Sequence, residues 1–157
     1  MPTLAEQLQT ALRQETAVAQ RLYEVMAQEQ SALQRMDSAS IQALAQEKSR
    51  LLAALDQQLL ARQKLVPNHQ VEGAVDALIN TFPAAIANPL QQAVDQLREL
   101  LFRCHNQNEI NGRIISASRR SVERSLSLIR GHQPDAVLYT QNGGATRMGP
   151  NRRFASA

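Results

Sequence analysis

The side chains best suited to chemistry are few in this sequence, and their spacing fits no common catalytic or metal site. The three histidines are His69, His105 and His132, and none has the His-Glu-x-x-His or Glu-x-x-His spacing that supplies metal ligands in helical proteins. The single cysteine, Cys104, cannot form an internal disulfide or a cysteine-rich zinc site. The pattern predicts no metal, no cofactor and no enzymatic activity.

Two other pairs of residues have weaker chemical interpretations. His105 and Glu109 stand one helical turn apart, a spacing that more often gives a surface contact than half of a metal site. Gly143-Gly144 follows no predicted strand and precedes no Gly-Lys-Ser or Gly-Lys-Thr, so it is not a phosphate-binding loop. Neither pair indicates a small-molecule substrate.

Two carboxylates, Glu15 and Glu29, fall in the apolar seam of the first predicted helix. One interpretation is that each lies at the edge of a helical bundle and reaches water or an arginine. The other is a buried polar contact that fixes the register of the helices. The spacing reveals no basic or metal partner, so the two residues indicate no class of reaction.

Asn108, Asn111 and Gly112 lie within the last predicted helix, where they reduce helix stability, by about 1 kcal/mol for the glycine alone relative to alanine. A compensating contact is therefore expected. Either another helix of the bundle packs closely against Gly112 and the asparagines bond across to it, or these residues offer a polar contact to a partner.

The composition restricts the fold class and the compartment. Of 157 residues, 43% are hydrophobic but only 3% are aromatic, which excludes an all-β fold because strands favour aromatic and β-branched side chains. No apolar run approaches the roughly 20 residues of a membrane-spanning helix, and the N-terminus lacks the features of a secretory signal. We therefore expect a cytoplasmic protein without an integral membrane segment.

Glycine and proline mark the expected ends of the helices. Neither occurs from Thr3 to Val66, where the apolar repeat is interrupted only near Asp37, and Asn88-Pro89 is a typical helix start. The sequence predicts an all-α protein: an antiparallel bundle of three long helices with a short additional helix and a flexible C-terminal tail. The expected bounds are 3–37, 40–66 and 89–130 for the long helices, 70–82 for the short one, 1–131 for the bundle domain and 132–157 for the tail.

The connections carry three narrower expectations. Gly73 is expected to interrupt the short helix, and Pro83 and Pro89 to bracket an alanine-rich turn. Gly131 is placed to end the last helix.

Basic residues are concentrated at the C-terminal end. Residues 1–112 carry 9 basic and 12 acidic side chains, whereas residues 113–157 carry 8 and 2, so the net charge changes from −3 to +6. A rival hypothesis is a basic helical adaptor for nucleic acid or an acidic protein surface, using Arg113, Arg119, Arg120, Arg124 and Arg130. No aromatic residue lies between these arginines to stack on bases, which argues against nucleic acid.

The C-terminal half of the last helix carries an apolar stripe between serines. At about 1.5 Å per residue this helix is roughly 60 Å long and outruns the first two. Small side chains beside the stripe allow close approach, so we expect a partner helix to bind there. The alternative is that the stripe packs on residues 68–88 of the same chain. The apolar stripe consists of Ile115, Val122, Leu126 and Ile129.

Two groups of residues resemble the FlgN family of flagellar export chaperones. The first group is Glu29-x3-Leu33-x3-Asp37-x3-Ile41-x2-Leu44-x3-Lys48-x2-Leu51-Leu52. The second group is Asn108-x2-Asn111-Gly112-x-Ile114-Ile115, followed by Gly131 and Tyr139-x3-Gly143. The resemblance spans about residues 1–144 of an all-helical chain of suitable size, and residues 145–157 match no part of it.

The resemblance implies a cytoplasmic chaperone, without enzymatic activity, that holds the hook-filament junction proteins FlgK and FlgL before export. Family members bind the C-terminal helical segment of these clients through their own C-terminal half. In this chain that half contains Asn108, Asn111, Gly112 and the apolar stripe. The resemblance also implies that the tail, with Tyr139 and Gly143, docks on the cytoplasmic domain of the export gate.

Overall fold

Four helices account for most of the chain. The computed structural model describes residues 1–130 and two short strands at residues 137–139 and 145–147. The helices are α1 (Leu4–Arg35), α2 (Ser38–Gln63), α3 (Ala74–Ile79) and α4 (Ala84–Ile129). The predicted all-α class, with three long helices and one short helix, is confirmed. None of these four helices combines the length and the hydropathy that crossing a membrane requires.

The chain divides into two compact units, residues 1–115 and residues 116–157. The boundary lies inside α4, whereas the sequence placed it near residue 131. The first unit contains α1, α2, α3 and α4 as far as Ile115. The second contains the remainder of α4 and the two strands.

Side-chain caps determine where α1 and α2 begin. The Thr3 hydroxyl accepts a hydrogen bond from Glu6 N at 3.3 Å, and the Glu6 carboxylate accepts one from Thr3 N at 2.7 Å, which forms a capping box. The Asp37 carboxylate accepts from Ser40 N at 3.2 Å and caps α2. Between the helices, Met36 is left-handed with a φ of 54°. The predicted break near Asp37 is confirmed.

The pairing of charged residues shows that α1 and α2 are antiparallel. Glu29 of α1 pairs with Lys48 of α2, and Glu15 pairs with Arg62. The pair nearer the N-terminus of α1 is thus the pair nearer the C-terminus of α2, so the two helices run in opposite directions. The short connection around Asp37 requires this arrangement.

The first unit also shows that α4 runs parallel to α1. Cys104 Sγ donates to Ala19 O at 3.4 Å and Asn111 Nδ2 donates to Met26 O at 2.8 Å, and each pair is 85 residues apart. A constant separation in sequence is the mark of parallel helices. Each consecutive long helix thus reverses direction, and α4 returns to the direction of α1.

Two clusters of buried hydrophobic side chains hold the first unit together, and α1 and α4 contribute to both. α2 contributes a single fully buried residue, Leu51, so it covers the clusters less deeply than α1 does. The larger cluster contains Leu8, Leu12, Ala19, Val66, Ile79, Leu90, Val94, Leu97 and Leu100. The smaller cluster contains Leu22, Val25, Met26, Leu51 and Cys104.

The connection between α2 and α4 differs from the prediction at two points. Gly73 begins α3 instead of interrupting it, because its φ of 77° suits glycine at the N-cap. Residues 84–87 are the first turn of α4 instead of a turn between prolines, and Pro89 lies inside the helix. Pro83 directly precedes α4, and its carbonyl accepts a hydrogen bond from Ile86 N at 2.8 Å. Pro83 suits a helix start, because the N–H groups there have no intrahelical partner. Pro89 is the sixth residue of α4, so its missing N–H removes the backbone hydrogen bond that this position would donate to Ala85 O.

An ion pair joins α3 to α4. Arg98 Nη1 donates to Asp76 Oδ1 at 3.0 Å, and Gln91 Nε2 donates to the same oxygen at 2.9 Å. The hydrogen bond from Arg98, followed by that from Gln91, lowers the pKa of Asp76 to about 2. Together with buried Ile79, this pair fixes α3 against α4.

The second unit contains strands where the sequence predicted no regular structure. The strands β1 (Val137–Tyr139) and β2 (Ala145–Arg147) pair antiparallel. The sequence signals are the aromatic and β-branched residues of β1 and the turn-forming dipeptide Asn142-Gly143. Apart from these two strands, the predicted flexible tail at 132–157 lies outside the described residues, and so does Gly131, the predicted end of α4.

Candidate functional site

A carboxylate is buried where the three long helices of the first unit meet. Glu29 of α1 is 2% exposed. Its two oxygens accept hydrogen bonds from Lys48 Nζ of α2 at 2.7 and 2.9 Å, and one of them also accepts from Asn111 Nδ2 of α4 at 2.7 Å. The charge is therefore neutralised and hydrogen-bonded, which is the condition for burying it without a large loss of stability.

Asn111 uses its whole amide inside the bundle. Besides bonding to Glu29, it donates to Met26 O at 2.8 Å and its Oδ1 accepts from Gln107 Nε2 at 3.0 Å. Gln107 also donates to Gln30 Oε1 of α1 at 2.8 Å. Since Asn111 is 1% exposed, it holds α4 to α1 and is not available to a partner. Its assignment to client binding is therefore withdrawn.

Glu15 is the second buried carboxylate of α1. It is 2% exposed, and Arg62 of α2 donates to it from Nε at 2.6 Å and from Nη2 at 3.2 Å. The two parallel bonds form the bidentate geometry that makes arginine–carboxylate pairs strong. Glu15 reaches an arginine, as the first interpretation had it, but it does so while buried, and Glu29 is likewise a buried polar contact.

The basic partners of these carboxylates were not predicted from the sequence. Lys48 occupies a position in the apolar repeat of α2, and this is the signal that could have identified it as a partner for a buried acid. Arg62, two heptads after Lys48, occupies the same position of the repeat and carries the same signal, whereas Gln107 carries none. Among the described residues, every buried side-chain polar atom has a hydrogen-bond partner.

Gly112 and Asn108 lie on the exposed surface of α4. A Cβ added at Gly112 would meet no atom within 4 Å, so the expectation of a helix packed closely against it is wrong. The compensating contact comes from Asn111 instead. Asn108 and Gly112 remain accessible, and their role in client binding stays a prediction.

The residues of the apolar stripe are exposed. In the first unit Ile115 is 46% exposed. In the second unit the exposed fraction is 53% for Val122, 43% for Leu126 and 82% for Ile129. Such values are high for large apolar side chains that recur along one face of a helix.

No described cluster suits catalysis. Among the residues that the structure describes, no group of three histidine, cysteine, aspartate or glutamate side chains is placed to hold a metal ion. His105 Nε2 lies 3.9 Å from Glu109 Oε1 on the surface of α4, as its spacing predicted. Burial raises the pKa of the Cys104 thiol, which disfavours the reactive thiolate.

Comparison with protein families connects this helical architecture to a biological role. The family model described as FlgN protein matches residues 1–147. The chain belongs to the FlgN family. FlgN proteins are flagellar export chaperones. No curated protein and no solved structure matches the chain.

The tail residues assigned to the export gate belong to the second unit of this FlgN-family chain. Tyr139 is the last residue of β1, and its backbone pairs with Ala145 of β2. Its side chain and the whole of Gly143 lie outside the described residues. Docking on the export gate therefore stays a prediction for both.

Removing Lys48 tests the buried ion pair of this FlgN-family bundle. We expect Lys48→Met to lower the free energy of unfolding by about 3–5 kcal/mol in urea denaturation, because the Glu29 carboxylate stays buried without a compensating charge. Adding Glu29→Met should recover most of this loss. As a control, Arg50→Met removes an exposed pair with Glu47 and should cost far less than Lys48→Met, because solvent screens an exposed pair. A double variant as unstable as Lys48→Met would contradict the interpretation.

Alanine substitution at the two described glycines tests the surroundings of Gly112. Gly112→Ala should stabilise the protein by about 0.5–1 kcal/mol, because alanine favours the helix and its Cβ enters open space. The matched control, Gly73→Ala, should destabilise it, because φ is 77° there. Thermal or urea unfolding measures both changes. Destabilisation by Gly112→Ala would indicate a close contact at that position.

Proposed function

We propose that this FlgN-family protein is a cytoplasmic chaperone that holds the C-terminal helical segments of FlgK and FlgL and delivers them to the export gate. The client helix binds along Val122, Leu126 and Ile129 of α4, with Ile115 one heptad before Val122. The function requires an exposed apolar surface, reversible affinity and a second site for delivery. It requires no covalent chemistry.

The observation that carries this proposal is a change of burial along one seam of α4. Leu97 and Cys104 are 3% and 6% exposed. Val122 and Ile129 lie further along the same face of α4, and they are 53% and 82% exposed. The apolar repeat of α4 thus continues into the second unit, where Val122 and Ile129 are exposed. An apolar repeat of this kind is what a partner helix recognises in helix-in-groove binding.

Small residues next to the stripe favour a helix as the occupant. Ser118 and Ser125 alternate with Val122 and Ile129 along α4. Short side chains allow a second helix to approach closely, while the apolar side chains supply the area that it buries. A client segment destined for a coiled coil presents a matching apolar stripe, and covering that stripe prevents its aggregation.

Delivery is assigned to the tail, by the family resemblance. β1 has the sequence Val137-Leu138-Tyr139, in a region of the chain with few other apolar residues. We place the contact with the cytoplasmic domain of the export gate at Tyr139 and Gly143, and docking occurs when the client is bound, which couples loading to delivery. An aromatic side chain is a common anchor in such an interface.

Charge introduced into the stripe tests client binding. Val122→Glu with Ile129→Glu should weaken binding of a FlgK C-terminal peptide by about 100-fold, because a charge buried against an apolar helix is unfavourable. The matched control is Ala117→Glu with Leu128→Glu, which adds the same charge to exposed positions on the opposite side of α4. Calorimetry measures affinity and circular dichroism measures helicity. Loss of helicity in the stripe variant would show that these residues belong to the core.

Removing the tyrosine ring tests delivery. Tyr139→Ala should leave client affinity unchanged while weakening capture of the client-loaded protein by the export gate cytoplasmic domain about tenfold. Tyr139→Phe, which keeps the ring, is the control. Filament assembly in motile cells should fall with capture. Equal capture of wild type and Tyr139→Ala in the presence of client would remove Tyr139 from the mechanism.

A further inference from the structure

Two neighbouring arginines on α4 have no ion pair among the described residues. Arg120 and Arg124 stand one helical turn apart in the second unit, and both are exposed. Arg119, next to them, donates from Nε to Glu123 Oε1 at 2.8 Å. In the first unit Arg113 lies 3.5 Å from Glu109. The structure thus divides the basic end of α4 into paired and unpaired arginines.

Arg120 and Arg124 are four residues apart on one helix, a spacing at which like charges repel each other. Carboxylates at both ends of such a pair would remove the repulsion, yet the only acid between Arg120 and Arg124 is Glu123, which Arg119 already engages. Carboxylates brought by a partner would satisfy the two guanidinium groups.

Arg120 and Arg124 lie on the opposite side of α4 from the apolar stripe. Each is two positions from Val122, which corresponds to about 160° around a helix. Between them is a shallow open hollow of about 420 Å³, lined by Arg120, Glu123, Arg124 and Ser127. A partner held there does not compete with a helix bound to Val122 and Leu126.

The position of the two arginines selects the class of partner. A helix that lies on an anionic membrane buries its apolar face in the lipid, which here would occupy the stripe assigned to the client. Nucleic acid is disfavoured because no aromatic side chain lies between Arg113 and Arg130 to stack on bases and Glu123 lies on the same surface. A protein segment with two carboxylates one helical turn apart matches the spacing and allows a bidentate bond to each guanidinium.

We propose that Arg120 and Arg124 form a docking site for an acidic helical segment of another protein, separate from the client surface. The site permits a complex in which one face of α4 holds the client and the opposite face holds the acidic partner. It does not depend on the identity of the client.

The test uses the full-length protein and a stapled alanine-based helical peptide with two glutamates four positions apart. The control peptide carries glutamine at both positions. Fluorescence anisotropy measures binding at about 0.05 M and 0.3 M salt, because screening weakens an exposed charge contact. Arg120→Gln with Arg124→Gln is compared with Arg13→Gln with Arg35→Gln, a matched pair of exposed arginines on α1 that also lack an ion pair among the described residues.

We expect the glutamate peptide to bind about tenfold more tightly than the glutamine peptide at low salt, and the Arg120/Arg124 variant to lose this advantage. The Arg13/Arg35 variant should retain it. The variant Val122→Glu with Ile129→Glu should also retain it, so failure of the client surface and failure of this site give different results.

Three results would overturn the proposal. The first is no preference for the glutamate peptide at about millimolar concentration. The second is an equal loss in both arginine variants, which would reduce the effect to net charge. The third comes from measuring binding to phosphatidylserine vesicles and to a DNA duplex in parallel. If the Arg120/Arg124 variant lost more affinity for either of these than for the glutamate peptide, the arginines would be assigned to a membrane or to nucleic acid.

Discussion

The bundle is organised around one buried negative charge. Glu29 of α1 receives its hydrogen bonds from Lys48 of α2 and Asn111 of α4, so its carboxylate is satisfied only when both other long helices are in place. An unpaired carboxylate at this depth would cost several kcal/mol. The position of each long helix is therefore a condition for the stability of the other two.

The buried charges also select one alignment of α1 with α2. Glu15 and Glu29 are two heptads apart, and so are Lys48 and Arg62. A slip of one heptad would keep apolar residues in contact, because the hydrophobic repeat is uniform. In either direction, however, one of the two carboxylates would face Leu55. Hydrophobic contacts make the helices associate, and the ion pairs fix their register.

The sequence predicted the features that depend on one helix at a time. The long uninterrupted helices follow from the absence of glycine and proline, and the break at Asp37 follows from its capping chemistry. What required the structure was pairing between helices: the spacing identified Glu29 as unusual, but its partners are 19 and 82 residues away. The start of α4 was misplaced because the local rule for prolines puts Pro89 at the first helical position, whereas the helix begins at Ala84 and continues through Pro89. The exposure of Val122 also depends on what packs nearby, which a repeat alone does not state.

The parallel arrangement of α1 and α4 sets an order of folding. Contacts between α1 and α2 span 19 to 47 residues, whereas those of Cys104 and Asn111 with α1 span 85. Closer contacts form sooner, so the α1–α2 hairpin precedes the docking of α4. During synthesis the chain emerges from its N-terminus, and Asn111 leaves the ribosome before Val122. Asn111, which joins α4 to α1, is thus available before the apolar stripe at the end of α4. This order limits the time during which a partly folded chain exposes the bundle core and the stripe together.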